Sequence, residues 1–145
     1  MRRFVKPFIQ ISGSKLASLN LLSHIQTNGS LSNNISRTAV ILIKPDGNKY
    51  TLSNTYFDHI NSAESEWRAI LNGIEFGLKK DSKNIQLEND NQTIINCLIE
   101  RKKPSSLLFT DYYNYIFNIA NKLDSLEIRW IPKYLNKADN LFRIK

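Results

Sequence analysis

The chain of 145 residues has a single cysteine, Cys97, so it builds no internal disulfide framework, and a reducing, intracellular compartment is the default expectation. With only two histidines beside that cysteine, a Cys/His zinc site is poorly supplied. Five glycines and four prolines are too few for a fibrous or low-complexity chain. Uncharged apolar runs stay well short of the about 18 residues of a membrane-spanning helix, so no membrane partner is expected. The most uneven shortage is of acid. No carboxylate side chain precedes Asp46, whereas residues 1–45 carry Arg2, Arg3, Lys6, Lys15, Arg37 and Lys44. The rest of the chain is nearly balanced, with 14 basic and 13 acidic residues, so the net charge of +7 sits mainly at the front. An acid-free basic N-terminus suits an organelle-targeting segment or an arm that touches phosphates. A solvated tail without a role is the plain alternative.

What is present is a globular balance, 41% hydrophobic and 23% charged residues, in a length that suits one domain with its own core. Residues 1–21 read as a basic extension, with a short strand near Phe8–Ile11 and helical spacing at Leu16, Leu19 and Leu22; residues 22–145 read as the domain. Residues 23–27 form a strand that Asn28-Gly29-Ser30 stops. Residues 38–44 are a β-branched apolar run, the mark of a buried strand. Pro45-Asp46-Gly47-Asn48 makes a turn, and residues 49–55 alternate as a third strand. Apolar residues at Ala63, Trp67, Ile70, Ile74 and Leu78 then predict a helix over 62–80. A strand at 85–88, helices at 91–101 and 108–123, a strand at 126–131 and a short helix from about Asn136 complete the order. Three meander strands followed by β/α alternation predict an α/β fold with one mixed sheet and helices on its faces.

Three acids fall where strands end or helices begin: Glu66, Asp90 and Asp139. Ligand sites of open α/β sheets gather in such places. Converging carboxylates are what Mg²⁺ or Mn²⁺ needs for phosphodiester hydrolysis. Taken singly, each has an ordinary use: Asp90 as a helix N-cap, Asp139 as a first-turn acid, Glu66 as a solvated residue.

Four segments, in order, resemble the type 1 ribonuclease H family of the ribonuclease H-like superfamily. Ile25-Gln26-Thr27-Asn28-Gly29-Ser30 is similar to its first-strand motif, apolar-x-Thr-Asp-Gly-Ser. Ala63-Glu64-Ser65-Glu66-Trp67-Arg68-Ala69-Ile70 resembles its first helix, with Glu66 in the catalytic glutamate position. Leu87-Glu88-Asn89-Asp90-Asn91-Gln92 is similar to its strand-end motif Ser-Asp-Ser-Gln. Trp130-Ile131-Pro132 through Asn136-Lys137-Ala138-Asp139-Asn140-Leu141 looks like its C-terminal signature. The resemblance covers about residues 22–143. It implies a five-stranded mixed sheet with helices on both faces and a site for RNA or an RNA/DNA hybrid. It implies that Glu66, Asp90 and Asp139 are catalytic and metal-holding, and that Mg²⁺ or Mn²⁺ is the cofactor if the site still binds metal. Nucleic-acid contacts are expected at Arg2, Arg3, Lys6, Lys15, Gly29, Ser30, Asn91 and Gln92.

One position departs. The family's first aspartate is replaced by Asn28, and no other acid lies near it in sequence. An amide is neutral, and its NH₂ group is a donor that faces a cation unfavourably. The site is therefore expected to be impaired, leaving a domain that binds nucleic acid, or sits in a larger ribonucleoprotein such as a mitochondrial ribosome, and cuts weakly or not at all. The alternative is a working hybrid-specific endonuclease that tolerates Asn28 or has had it engineered in, with Glu64 or Glu88 in compensation. A third reading is a protein-interaction domain using the aromatic run Phe109, Tyr112, Tyr113, Tyr115 and Phe117. A mitochondrial or other organellar home is expected, with the cytoplasm as the alternative.

Overall fold

The structure is a computed structural model that describes residues 21–143. Arg2, Arg3, Lys6 and Lys15, and the strand expected near Phe8, lie outside the described residues. The chain runs β1 (Ser23–Ser32), β2 (Ile35–Ile43), β3 (Lys49–Tyr56), α1 (Ser62–Lys79), β4 (Asn84–Asn89), α2 (Gln92–Glu100), α3 (Leu107–Ala120) and β5 (Ser125–Trp130). Two 3₁₀ segments, Lys133–Leu135 and Lys137–Arg143, follow where a short helix was expected. The sheet order is β3-β2-β1-β4-β5. The first three strands pair antiparallel, while β1 with β4 and β4 with β5 are parallel.

Strand β1 does not stop at Asn28, as the sequence suggested. It continues to Ser32, with Asn28 opposite Ala39 and Gly29 opposite Thr38. The hairpin turn comes instead at Asn33 and Asn34, whose φ angles of 53° and 62° match a two-residue turn of the kind that follows strand twist. Asparagine tolerates the left-handed region better than other side chains. Gly29 is extended, and its lack of a side chain serves packing rather than a turn. A Cβ built there would overlap the Ser65 carbonyl of α1.

Alternation along each strand sorts the residues onto two faces. Ile25, Val40, Leu42, Leu87 and Ile128 face the three α-helices and meet Trp67, Ile70 and Ile74 of α1 in one core. Full burial of each such side chain contributes roughly 1.5–3 kcal/mol. Gly73 lets α1 settle against Thr27 and Ile25, whose methyl groups fill the space a side chain would take. The aromatic run of α3 is mostly spent here: Tyr113 is buried, Phe109, Tyr112 and Phe117 pack on the core, and only Tyr115 is exposed. The opposite face is covered by the second 3₁₀ segment, whose Ala138 packs with Ala39 and Ile41. Elsewhere that face carries polar cross-strand rows. His24 bonds Gln86 at 2.9 Å, which donates to Glu127 at 2.6 Å. Gln26 donates to Glu88 at 2.9 Å, and Arg129 lies 3.2 Å from Glu88.

The start of α1 is fixed by a reciprocal cap. Asn61 Oδ1 accepts the Glu64 N–H at 2.9 Å, and Glu64 Oε1 accepts the Ile60 N–H at 2.8 Å. The other Glu64 oxygen accepts the Tyr112 hydroxyl at 2.9 Å, tying α1 to α3. These contacts hold Glu66 at a set height above β1. Gly29→Ala should force α1 off the strand and lower stability by about 2–4 kcal/mol, measured by urea unfolding. An unchanged midpoint would contradict this close packing.

Candidate functional site

The crevice lies at the carboxyl ends of β1 and β4, the central parallel pair. Four elements converge there: β1 with Asn28, the first turns of α1 with Glu66, the residue after β4 with Asp90, and the second 3₁₀ segment with Asp139. A network of amides holds these side chains. Asn28 Nδ2 donates to Asp139 Oδ1 at 3.0 Å. The Gly29 N–H is shared between Glu66 Oε1 at 2.8 Å and Asn28 Oδ1 at 3.0 Å. Asn89 Nδ2 reaches Glu66 Oε1 at 3.3 Å and both the carbonyl and the hydroxyl of Thr27 at 3.0 Å. Asn136 Nδ2 donates to the Thr27 carbonyl at 2.9 Å and to Asp90 Oδ2 at 3.2 Å. Each of the three acids thus meets one asparagine.

Burial decides the electrostatics. Glu66 is only 9% exposed. Desolvation, then the negative charge of Asp90, push its pKa from 4.5 to about 7, against the opposing pull of Asn89, Gly29 and Lys133. Burial also raises Asp90, and Asp139 adds to the rise, while the Asn136 hydrogen bond and Lys133 oppose it. Lys133 is therefore a cation sensed by both Glu66 and Asp90. It lines a cavity of about 540 Å³ with Tyr134, Asn136, Lys137, Asp139 and Asn140, beside the carboxylates. Tyr134 stands 85% exposed at its rim.

The arrangement does not form a cage for a divalent ion. Among the described residues, no three or more His, Cys, Asp or Glu side chains gather closely enough to hold one. Asn28 turns a donor nitrogen toward Asp139, and oxygens of Glu66 and Asp90 are engaged by amides. Glu64 and Glu88 are committed elsewhere, to the α1 cap and to the Gln26–Arg129 row.

The other expected residues divide. Gly29 belongs to the site through its N–H. Asp90 is not the helix cap; Asn91 is, accepting the Ile94 N–H at 3.1 Å. Gln92 is exposed at the first position of α2. Ser30 lies along β1 in a small pocket with Arg37 and Phe142. Glu66 is buried, not solvated. Trp130 forms part of the wall, its indole donating to the Asp90 carbonyl at 3.0 Å. Sequence reasoning passed over Asn89, Asn136 and Lys133. The signal available was position alone: Asn89 directly precedes Asp90, and Asn136 stands three residues before Asp139.

The raised Glu66 pKa has a definite sign. Below about pH 4.5 the residue is protonated in both folded and unfolded chains and costs nothing. Between 4.5 and about 7 only the unfolded chain gives up its proton, so stability falls as pH rises. Glu66→Gln should therefore stabilise the fold at pH 8 by up to about 3 kcal/mol, with no gain at pH 4. Urea unfolding at both pH values measures this; an equal effect at both would sink the assignment.

Residues 26–141 match the family described as reverse transcriptase-like. No curated protein matches the sequence. Among solved structures, RNase H1 from the halophilic archaeon Halobacterium salinarum NRC-1 is 18% identical, with a TM-score of 0.76 over 83% of this chain and 93% of that one. The N-terminal RNase H domain of a Mycobacterium tuberculosis protein, solved as a maltose-binding-protein fusion, is 15% identical, with a TM-score of 0.76 over 83% and 90%. LC11-RNase H1, solved in complex with an RNA/DNA hybrid, is 18% identical, with a TM-score of 0.72 over 82% and 92%. The chain shares the fold of these ribonuclease H structures, and the match across most of its sequence shows that it belongs to the reverse transcriptase-like family.

Proposed function

We propose that this domain binds RNA, or the RNA strand of an RNA/DNA hybrid, across the crevice between β1 and β4, and that it hydrolyses that strand weakly or not at all. The observation that carries this reading is the Asn28 amide, which donates to Asp139 where the related motif has an aspartate. Losing one electrostatic stabiliser of a transition state commonly costs about 10²–10³-fold in rate. The contact of Asn28 with Asp139, and the Gly29 N–H it shares with Glu66, argue for a loss at the upper end of that range. Lys133 and Lys137, beside the acids, supply cations for a phosphodiester backbone, and Tyr134 offers a ring for a base. The hybrid bound by LC11-RNase H1 supports this class of ligand. The 2′-hydroxyl is the group that would separate RNA from DNA.

Glu66, Asp90 and Asp139 are the residues that would hold Mg²⁺ or Mn²⁺ once a fourth carboxylate is restored. Residence in an organellar ribonucleoprotein, such as a mitochondrial ribosome, is proposed on the acid-free basic N-terminus, with Arg2, Arg3, Lys6 and Lys15 on RNA phosphates.

The test uses a labelled RNA/DNA hybrid with Mg²⁺ and with Mn²⁺. The chain as it stands should bind the hybrid, with affinity falling steeply as salt rises, and leave the RNA uncut. Asn28→Asp should cut at least about 10²-fold faster. Efficient cleavage by the unaltered chain would establish the endonuclease reading instead. Absence of binding at low salt would remove the nucleic-acid reading altogether.

A further inference from the structure

A second feature lies away from the crevice, along the outer edge of the sheet. The strand order ends on β3, and among the described residues nothing pairs with its free side. Its register with β2 runs without a bulge from Tyr56 opposite Ser36 to Lys49 opposite Ile43. Residues 50–56 contain neither a charge nor a proline. Bulges, prolines and lysines are the usual devices that stop an edge strand from accepting another, and β3 uses none of them past Lys49.

The inner side of β3 borders an open groove of about 440 Å³ against α1. Leu52, Tyr56 and Phe76 make its apolar lining, while Arg68, Lys79 and Glu75 supply its charge. The polar groups at the Tyr56 end are fixed. Arg68 Nε donates to Tyr56 Oη at 3.2 Å, with its guanidinium 5.2 Å from the ring centroid. Asn72 Nδ2 donates to the same oxygen at 3.0 Å. With two donors on Tyr56 Oη, its own proton is left to donate outward. Among the described residues, Nε makes the hydrogen bond of this guanidinium, so the terminal amino groups also remain to donate. Glu75, on the same groove, already acts on Arg68 through its charge, so an incoming carboxylate shares that guanidinium with it, and Lys79 adds a second cation. The groove therefore joins an open backbone edge to an apolar floor and a preset group of donors.

We propose that this groove binds an extended peptide segment of another protein, which adds as a sixth strand on β3 and sets a carboxylate side chain against Arg68 and Tyr56. Strand addition takes its affinity from main-chain hydrogen bonds and its specificity from pockets for alternate side chains. A carboxylate suits the planar fork of arginine. Residues 1–20 carry no acid and cannot supply it. A second copy would offer its own β3, equally free of acid, from a chain of charge +7. The proposal stands independently of the nucleic-acid reading.

The probes are two eight-residue peptides that alternate valine and threonine, one with a central glutamate and one with a central lysine. Each is titrated into the isotope-labelled full chain, with amide exchange followed by NMR. The glutamate peptide should bind and slow exchange of alternate β3 amides. The lysine peptide and the Arg68→Gln variant should each show at least about ten-fold weaker binding. Lys79→Glu, at an exposed position, should weaken it as well, and guards against a folding defect at Arg68. The proposal is overturned if neither peptide binds at millimolar concentration, or if both bind equally. It is also overturned if β3 exchange is unaffected, or is already slow in the free chain because residues 1–20 or a second copy cover the edge.

Discussion

Helix α1 crosses β1 at Gly29 with no room for a side chain, and the Gly29 N–H, released from any need to clear a Cβ, meets the Glu66 carboxylate. That contact sets the depth of the crevice. It brings Glu66 down among Asn28, Asn89 and Thr27, and it leaves the carboxyl ends of β1 and β4 as the floor. The cap at Asn61 and Glu64 fixes where α1 begins, and the Tyr112 hydroxyl fixes how α1 leans on α3. The site is thus a product of one close backbone approach, supported from behind by ordinary core packing.

Given that depth, Glu66 feels the charge of Asp90 and Asp90 that of Asp139, and the chain answers with amides. Asn28, Asn89 and Asn136 each donate to one acid, and Lys133 lowers the cost of charge on two of them. A hydrogen bond from a neutral amide offsets desolvation only in part, which is why Glu66 still holds its proton up to about pH 7. Such an arrangement satisfies the acids through the protein itself. It keeps the crevice shaped and polar, and it puts a nitrogen of Asn28 where an oxygen of aspartate would add charge. On our reading, recognition of a phosphodiester chain survives such a change far better than its hydrolysis does. The β3 groove lies outside this balance, lined by none of these three acids.

Much of the architecture was legible because it rests on local rules. The periodicity of Trp67, Ile70 and Ile74 placed α1 correctly, and the alternation over residues 49–55 placed β3. The end of β1 was misread, because Asn28-Gly29 carries turn chemistry that the pairing with β2 overrides. The short helix expected from about Asn136 forms as the 3₁₀ segment Lys137–Arg143, and a further 3₁₀ turn, Lys133–Leu135, precedes it, with Asn136 between them spent on Thr27 and Asp90.

Motif order identified Asn28, Glu66, Asp90 and Asp139 before any contact was known, since spacing along a chain survives in its sequence. What those side chains do to one another was decided only by the tertiary structure. Asn89 and Asn136 look like any polar residues until Thr27 and the acids arrive beside them from 23 to 109 positions away. The pKa of Glu66 likewise depends on burial, and burial belongs to the packed molecule. Sequence by itself determined the family and most of the order of elements, and it put an amide at position 28. The folded chain decided which amide meets which carboxylate, because hydrogen bonds and desolvation act through space, across contacts that no local pattern encodes.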